Sequence, residues 1–96
     1  MREPAVYMLA TKPYGTLYIG VTSGLVKRIW EHRNNATDGF TKRYGVNRLV
    51  HFERFRSMVE AIEREKELKK WRRAWKIALV EEANPGWRDL WPEFSQ

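Results

Sequence analysis

Residues 4–10, PAVYMLA, form an unbroken apolar run rich in strand formers, and residues 16–22, TLYIGVT, alternate apolar Leu17, Ile19 and Val21 with Tyr18 and Gly20. Between them Lys12-Pro13-Tyr14-Gly15 carries turn chemistry, so the two strands are expected to pair as an antiparallel hairpin. Thr22-Ser23-Gly24 offers a cap for a helix over 24–35, where Leu25, Val26, Ile29 and Trp30 recur at helical spacing. Asn34-Asn35 and Asp38-Gly39 end that helix and open a loop. Residues 48–55, RLVHFERF, read as a third strand. Ser57 caps a long helical region from Met58 to about Ala83, with a break expected near Lys70-Trp71, where the apolar stripe drifts. Asn84-Pro85-Gly86 stops it, and the tail with Trp87, Trp91 and Phe94 is expected to fold back onto the core. The order β-β-α-β-α predicts an α+β fold: a three-stranded antiparallel sheet flanked by helices. A single domain is expected over residues 1–96, with its core at about 4–84 and a C-terminal tail at 85–96.

Composition narrows the chemistry. The 96 residues include no cysteine, which excludes disulfides, thiolate metal sites and a cysteine nucleophile. No apolar run approaches the roughly 20 residues of a membrane span, and the N-terminus lacks the apolar stretch of a signal peptide. A cytoplasmic protein with no membrane partner is the expectation. The net charge is +6, and it is carried entirely by residues 1–56; residues 57–96 are neutral. Within the neutral part, 66–76 nevertheless holds six Lys/Arg against Glu67 alone. Such a block is either a solvated helix face or a patch that tracks phosphates.

Three sets of side chains could carry chemistry. Tyr7 shares its strand face with Ala5 and Leu9, and Tyr18 lies on the second strand, so the two phenols could meet across the hairpin. A tyrosine pair usually packs, but a phenol moves protons when a cation lies beside it. Arg28 and His32 are four residues apart and project from one helix face; a guanidinium beside an imidazole suits developing phosphate charge. Ala61, Glu65 and Leu68 fall on one stripe, which puts Glu65 at an apolar edge where an unpaired carboxylate is costly. That carboxylate could hold one hydrated magnesium ion or simply pair with Lys69 at i+4. There is no glycine-rich phosphate loop, histidine pair at metal spacing or serine nucleophile motif, and His51 reads as structural.

Taken together, these residues resemble the GIY-YIG nuclease family, and in particular its small single-domain bacterial members. Ala5-Val6-Tyr7 stands where the first tripeptide falls, departing from it at two positions but keeping the tyrosine, and Tyr18-Ile19-Gly20 matches the second in full. Arg28 and His32 fall at the helix positions of the family, Glu65 at its metal-binding glutamate and Asn84 at a late asparagine that helps organise the site. The stretches GTLYIGVTS, GFTKRY, LKKWRRAWK and NPGWRDL are similar to those of the small bacterial group. The resemblance implies hydrolysis of a DNA phosphodiester with one divalent ion, Mg²⁺ or Mn²⁺, held by Glu65. Tyr7, or otherwise Tyr18, would help deprotonate the attacking water, His32 would assist, and Arg28 would neutralise charge on the phosphate. Gly20 and Asn84 would organise the site.

The chain's apparent grips on DNA are Lys27, the loop residues Lys42 and Arg43, and the block Lys69, Lys70, Arg72 and Arg73. Binding should then be modest, salt-sensitive and weakly sequence-specific. Two other readings stay open: a non-catalytic nucleic-acid-binding module of the same fold, and an adaptor that engages protein partners through the aromatic tail. A monomer or weak dimer is expected.

Overall fold

The computed structural model describes residues 3–34, 39 and 44–93. Strands β1 (Ala5–Ala10) and β2 (Leu17–Thr22) precede helix α1 (Leu25–Arg33). Strand β3 (Arg48–Arg54), helices α2 (Met58–Lys70) and α3 (Arg73–Ala83) and a single 3-10 turn at Trp91–Glu93 follow. The sheet is antiparallel throughout, in the order β2-β1-β3, so the α+β class and the three-stranded sheet stand as the sequence predicts.

Why 4–10 is apolar without alternation is now evident. β1 is the central strand, and all six of its residues are buried. Ala5, Tyr7 and Leu9 pack on Leu25 and Ile29 of α1. Val6, Met8 and Ala10 face the other way, onto Ala61 and Leu68 of α2 and Val80 of α3. A strand covered on both faces has no polar side to show. Between Met8 and Leu9 the pairing with β3 slips by one residue, from His51 to Leu49, leaving Val50 as a bulge.

Local chemistry explains most element ends. Ser57 caps α2 by accepting the Glu60 N–H at 3.3 Å. The helical region does break after Lys70: Trp71 and Arg72 are extended, and α3 restarts at Arg73. Asn84 closes α3, and its buried side-chain amide donates to the carbonyls of Val50 (3.1 Å) and Arg88 (2.9 Å). Trp87 is fully buried and Trp91 is packed against the α1-side core, so this part of the tail folds back. Phe94 lies outside the described residues.

α1 differs from its expected form in two ways. The helix has no side-chain cap; Thr22 Oγ1 instead accepts the Gly24 N–H at 3.0 Å, one step before the helix. Its inward face is Leu25, Ile29 and His32, while Val26 and Trp30 are 40% and 52% exposed. Four apolar positions at 25, 26, 29 and 30 are wider than one buried stripe, and the sheet accepts only half of them.

Two polar clamps tie the layers together. Arg73 donates at 2.7 Å to both Tyr14 O and Gly15 O, holding the hairpin turn to α3, and Tyr14 and Trp87 Nε1 both donate to Glu81. At β3, Glu53 lies 2.8 Å from His51 Nε2 and 2.8 Å from Arg64 Nε of α2. The His51 hydrogen bond and the Arg64 guanidinium bring the Glu53 carboxyl down to about 2. Its folded pKa is depressed, so its stabilisation is full above the ordinary carboxylate range and is lost as pH falls through the folded value. Wild type should lose on the order of 2 kcal/mol between about pH 5 and pH 2 that Glu53→Gln does not lose over the same range. Urea unfolding at a series of pH values checks this; parallel acid profiles would remove Glu53 from the account.

Candidate active site

The hairpin register places Tyr7 opposite Gly20 and Leu9 opposite Tyr18, so the two tyrosines are diagonal neighbours on the α1 face of the sheet. Their ring centroids are 6.2 Å apart. His32, one turn beyond Arg28 on α1, completes the group: its ring lies 5.6 Å from Tyr7 and 5.8 Å from Tyr18. Nε2 of His32 is 3.0 Å from the Tyr7 hydroxyl, and both residues are buried. The Arg28 guanidinium acts on the same phenol electrostatically and reaches Glu31 at 3.4 Å. The structure therefore brings Tyr7, Tyr18, Arg28 and His32 into one cluster.

Gly20 makes this cluster possible. A Cβ there would sit 2.4 Å from both Cζ and the hydroxyl of Tyr7. Tyr7 is 1% exposed and wedged beneath α1, so its ring has nowhere to retreat. Gly20→Ala should destabilise the fold by about 1–3 kcal/mol and break the Tyr7–His32 contact. A thermal melt together with the His32 ring resonance in NMR checks both; an unchanged resonance would show that the ring finds room.

The environment sets the protonation states. Burial pushes the Tyr7 phenol up to about 12, with the Arg28 guanidinium opposing that rise. Burial, and then the Arg28 charge, pull His32 below its ordinary value. At neutral pH a neutral phenol thus faces a neutral imidazole, and the His32 tautomer sets which of the two donates. Arg28 stays charged, its pKa raised chiefly by interaction with the Tyr7 phenol.

Glu65 is placed differently. Its side chain is only 16% exposed, at the edge of α2, and it pairs with Lys69 at 3.1 Å. The carboxylate is therefore paired, which is one of the two alternatives the stripe pattern leaves open. Lys69 and Lys76 line a depression of about 360 Å³ with Leu17, Tyr18 and Ile19. Among the described residues no group of three or more His, Cys, Asp or Glu could hold a metal ion. Glu65 stands on α2, which covers the face of β1 opposite Tyr7, and a lone carboxylate is a hard-oxygen donor that suits a hydrated Mg²⁺ or Mn²⁺ and not a tightly caged transition metal.

The remaining predicted residues divide. Lys27 lines a second depression, of about 320 Å³, with Thr22, Ser23, Gly24, Arg28 and Glu31. Lys70 and Arg72 are exposed on the α2–α3 junction. Arg73 is engaged with the hairpin carbonyls. Asn84 bonds on the Val50 side of the sheet, opposite the Tyr7 face, and so organises the joint between β3 and α3. Lys42 and Arg43 fall outside the described residues. Sequence reasoning missed Glu31, whose i+3 spacing to Arg28 was the available signal, and Lys76.

The domain is thus α+β, with a central strand covered on both faces and two phenols, an imidazole and a guanidinium gathered over one of them. Residues 3–78 match the family model described as the GIY-YIG catalytic domain, and the chain belongs to the GIY-YIG family. It is 40% identical over 75 residues to a UPF0213 protein of Clostridium perfringens, covering 78% of this chain and 80% of that one. It is 35% identical over 82 residues to a UPF0213 protein of Staphylococcus saprophyticus, covering 85% and 99%. The fold is similar to the solution NMR structure of a UPF0213 protein from Bacillus halodurans, at a TM-score of 0.58 and 29% identity over 98% of both chains. Among the described residues no helix is long and apolar enough to cross a membrane.

Proposed function

We propose that the chain is a metal-dependent endonuclease that hydrolyses DNA phosphodiester bonds with weak sequence specificity. The observation that carries this reading is the buried Tyr7–His32 hydrogen bond at 3.0 Å with Arg28 on the same phenol. It is a proton relay beside a fixed positive charge, and a pure binding surface needs no such buried relay.

The two ends of the relay have distinct roles. Tyr7 does not ionise alone at neutral pH, because its phenol is pushed up to about 12. It can take a proton from the attacking water only as it passes its own to His32, which burial keeps neutral. Tyr18 orients the water or the phosphate from the neighbouring strand. Arg28 balances the negative charge that develops on the phosphate oxygens. Glu65, released from Lys69, would hold the divalent ion. Such an ion, when bound, stabilises charge on the phosphate and the leaving oxygen.

End-labelled DNA incubated with the protein and Mg²⁺ or Mn²⁺ should be cleaved, and excess chelator should stop the reaction. The non-catalytic reading has one observation in its favour: the Glu65–Lys69 pair at 3.1 Å satisfies the carboxylate without a metal. A mobility shift without turnover in either ion would establish that reading instead.

A further inference from the structure

The junction between α2 and α3 carries an aromatic group that the proposed reaction does not use. Trp71, at the break, is partly buried against the sheet core. Trp75, one turn into α3, is 51% exposed, while Ile77 and Val80 of the same helix pack inward. The Trp75 ring stands at 86° to Trp71 with centroids 6.0 Å apart, so its edge is fixed by a residue that is itself anchored. The Arg72 guanidinium lies 4.9 Å from the Trp75 centroid, and Arg64 lies 5.1 Å from that of Trp71. The indole is thus braced at its edge and beside a cation, with half its surface open to solvent.

We infer that Trp75, with Arg72, is a stacking site for one unstacked nucleobase in a single-stranded segment of the nucleic acid. The inference rests on the nuclease reading for its ligand class and deepens it. Three observations converge. A rigid, half-exposed indole is what base stacking requires, and stacking is tolerant of sequence. The surroundings are cationic: Arg72 lies against the ring and Lys69, Lys70 and Lys76 are close to it in sequence, which suits a phosphate backbone and disfavours an apolar partner. The position is also apt, because Lys69 and Lys76 on either side of the junction line the depression that contains Tyr18. A strand seated on Trp75 would therefore run toward the tyrosines. A blunt duplex, whose bases are already stacked, offers this ring nothing.

The test uses the full chain in excess chelator, so that binding is read without turnover. Fluorescence anisotropy would compare a labelled single-stranded oligonucleotide with a blunt duplex. Trp75→Ala should weaken single-strand binding about 10-fold or more and leave duplex binding within about twofold, and Trp75→Tyr should restore most of the loss. Wild type titrated with oligonucleotides carrying abasic positions should show the same loss at one position, a readout independent of any variant's folding. Equal losses on both substrates, no loss at any abasic position, or no binding by wild type would each overturn the proposal. Cleavage without any dependence of binding on Trp75 would overturn the stacking site alone. Trp75-dependent binding without cleavage would uphold it while removing the nuclease.

Discussion

Arg28→Ala should slow DNA cleavage by a factor on the order of 10² or more while leaving far-UV circular dichroism native. Its guanidinium acts on the Tyr7 phenol, reaches Glu31 at 3.4 Å and has a side chain 38% exposed, so it is placed to meet a phosphate and its removal opens no core cavity. Two further effects accompany the lost charge. Arg28 opposes the rise of the Tyr7 phenol and helps lower His32. Without it, Tyr7 should be a weaker acid and His32 a stronger base. The sign at His32 follows directly. In the native protein its pKa lies below the ordinary value, so its neutral form persists to lower pH and cleavage should fall only as pH drops through that lowered value. In Arg28→Ala the acid limb should move up in pH. A rate–pH profile of both proteins distinguishes this from simple charge loss, which would lower the curve without shifting it. Wild-type rates in a folded Arg28→Ala protein would remove the cluster from the chemistry.

Glu65→Gln should abolish cleavage. The substitution keeps shape and removes the charge, and a hard divalent ion that retains most of its waters still needs an anionic oxygen from the protein. Mn²⁺ binding followed by electron paramagnetic resonance should weaken with it, a measurement that does not depend on turnover. Loss of the pair with Lys69 should change stability by no more than about 0.5 kcal/mol, as for an i,i+4 pair on a helix. DNA binding in chelator should persist or strengthen, because a negative charge near the phosphates is gone and Lys69 is released. Cleavage at the native rate by folded Glu65→Gln would falsify the one-metal reading.

Much of the fold is local and could be read locally. The hairpin turn, the Ser57 cap, the break after Lys70 and the stop at Asn84 each rest on a few neighbouring residues, and each appears where the sequence places it. What could not be read depends on partners distant in sequence. Whether Val26 and Trp30 or Leu25 and Ile29 face inward on α1 is decided by the sheet, and the chosen face is the one that carries Arg28 and His32 over the tyrosines. Spacing put Arg28 and His32 on one face and Tyr7 near Tyr18, but the bond between the two pairs spans 25 residues and has no local signature. Arg73 looks like one more cation in a basic block; its work on the hairpin carbonyls crosses 59 residues. Of the two possibilities the sequence leaves for Glu65, the pair with Lys69 is the one seen, and the metal role belongs to the proposed reading.

The position of β1 between its two neighbours has a consequence for how the site comes into being. Tyr7, Tyr18, Arg28 and His32 all lie within the hairpin and the helix that follows it, whereas β3, which completes the pairing of β1, comes later in the chain. The other side of β1 is covered only when α2 and α3 dock. A hairpin with one helix is too little to be stable alone, so the phenols and the imidazole can meet early but are held only once the rest arrives. Glu65 comes with α2, on the part of the chain that locks the sheet. On the proposed reading, the groups that would move the proton and the group that would hold the ion come from separate parts of the chain and stand together only in the complete fold.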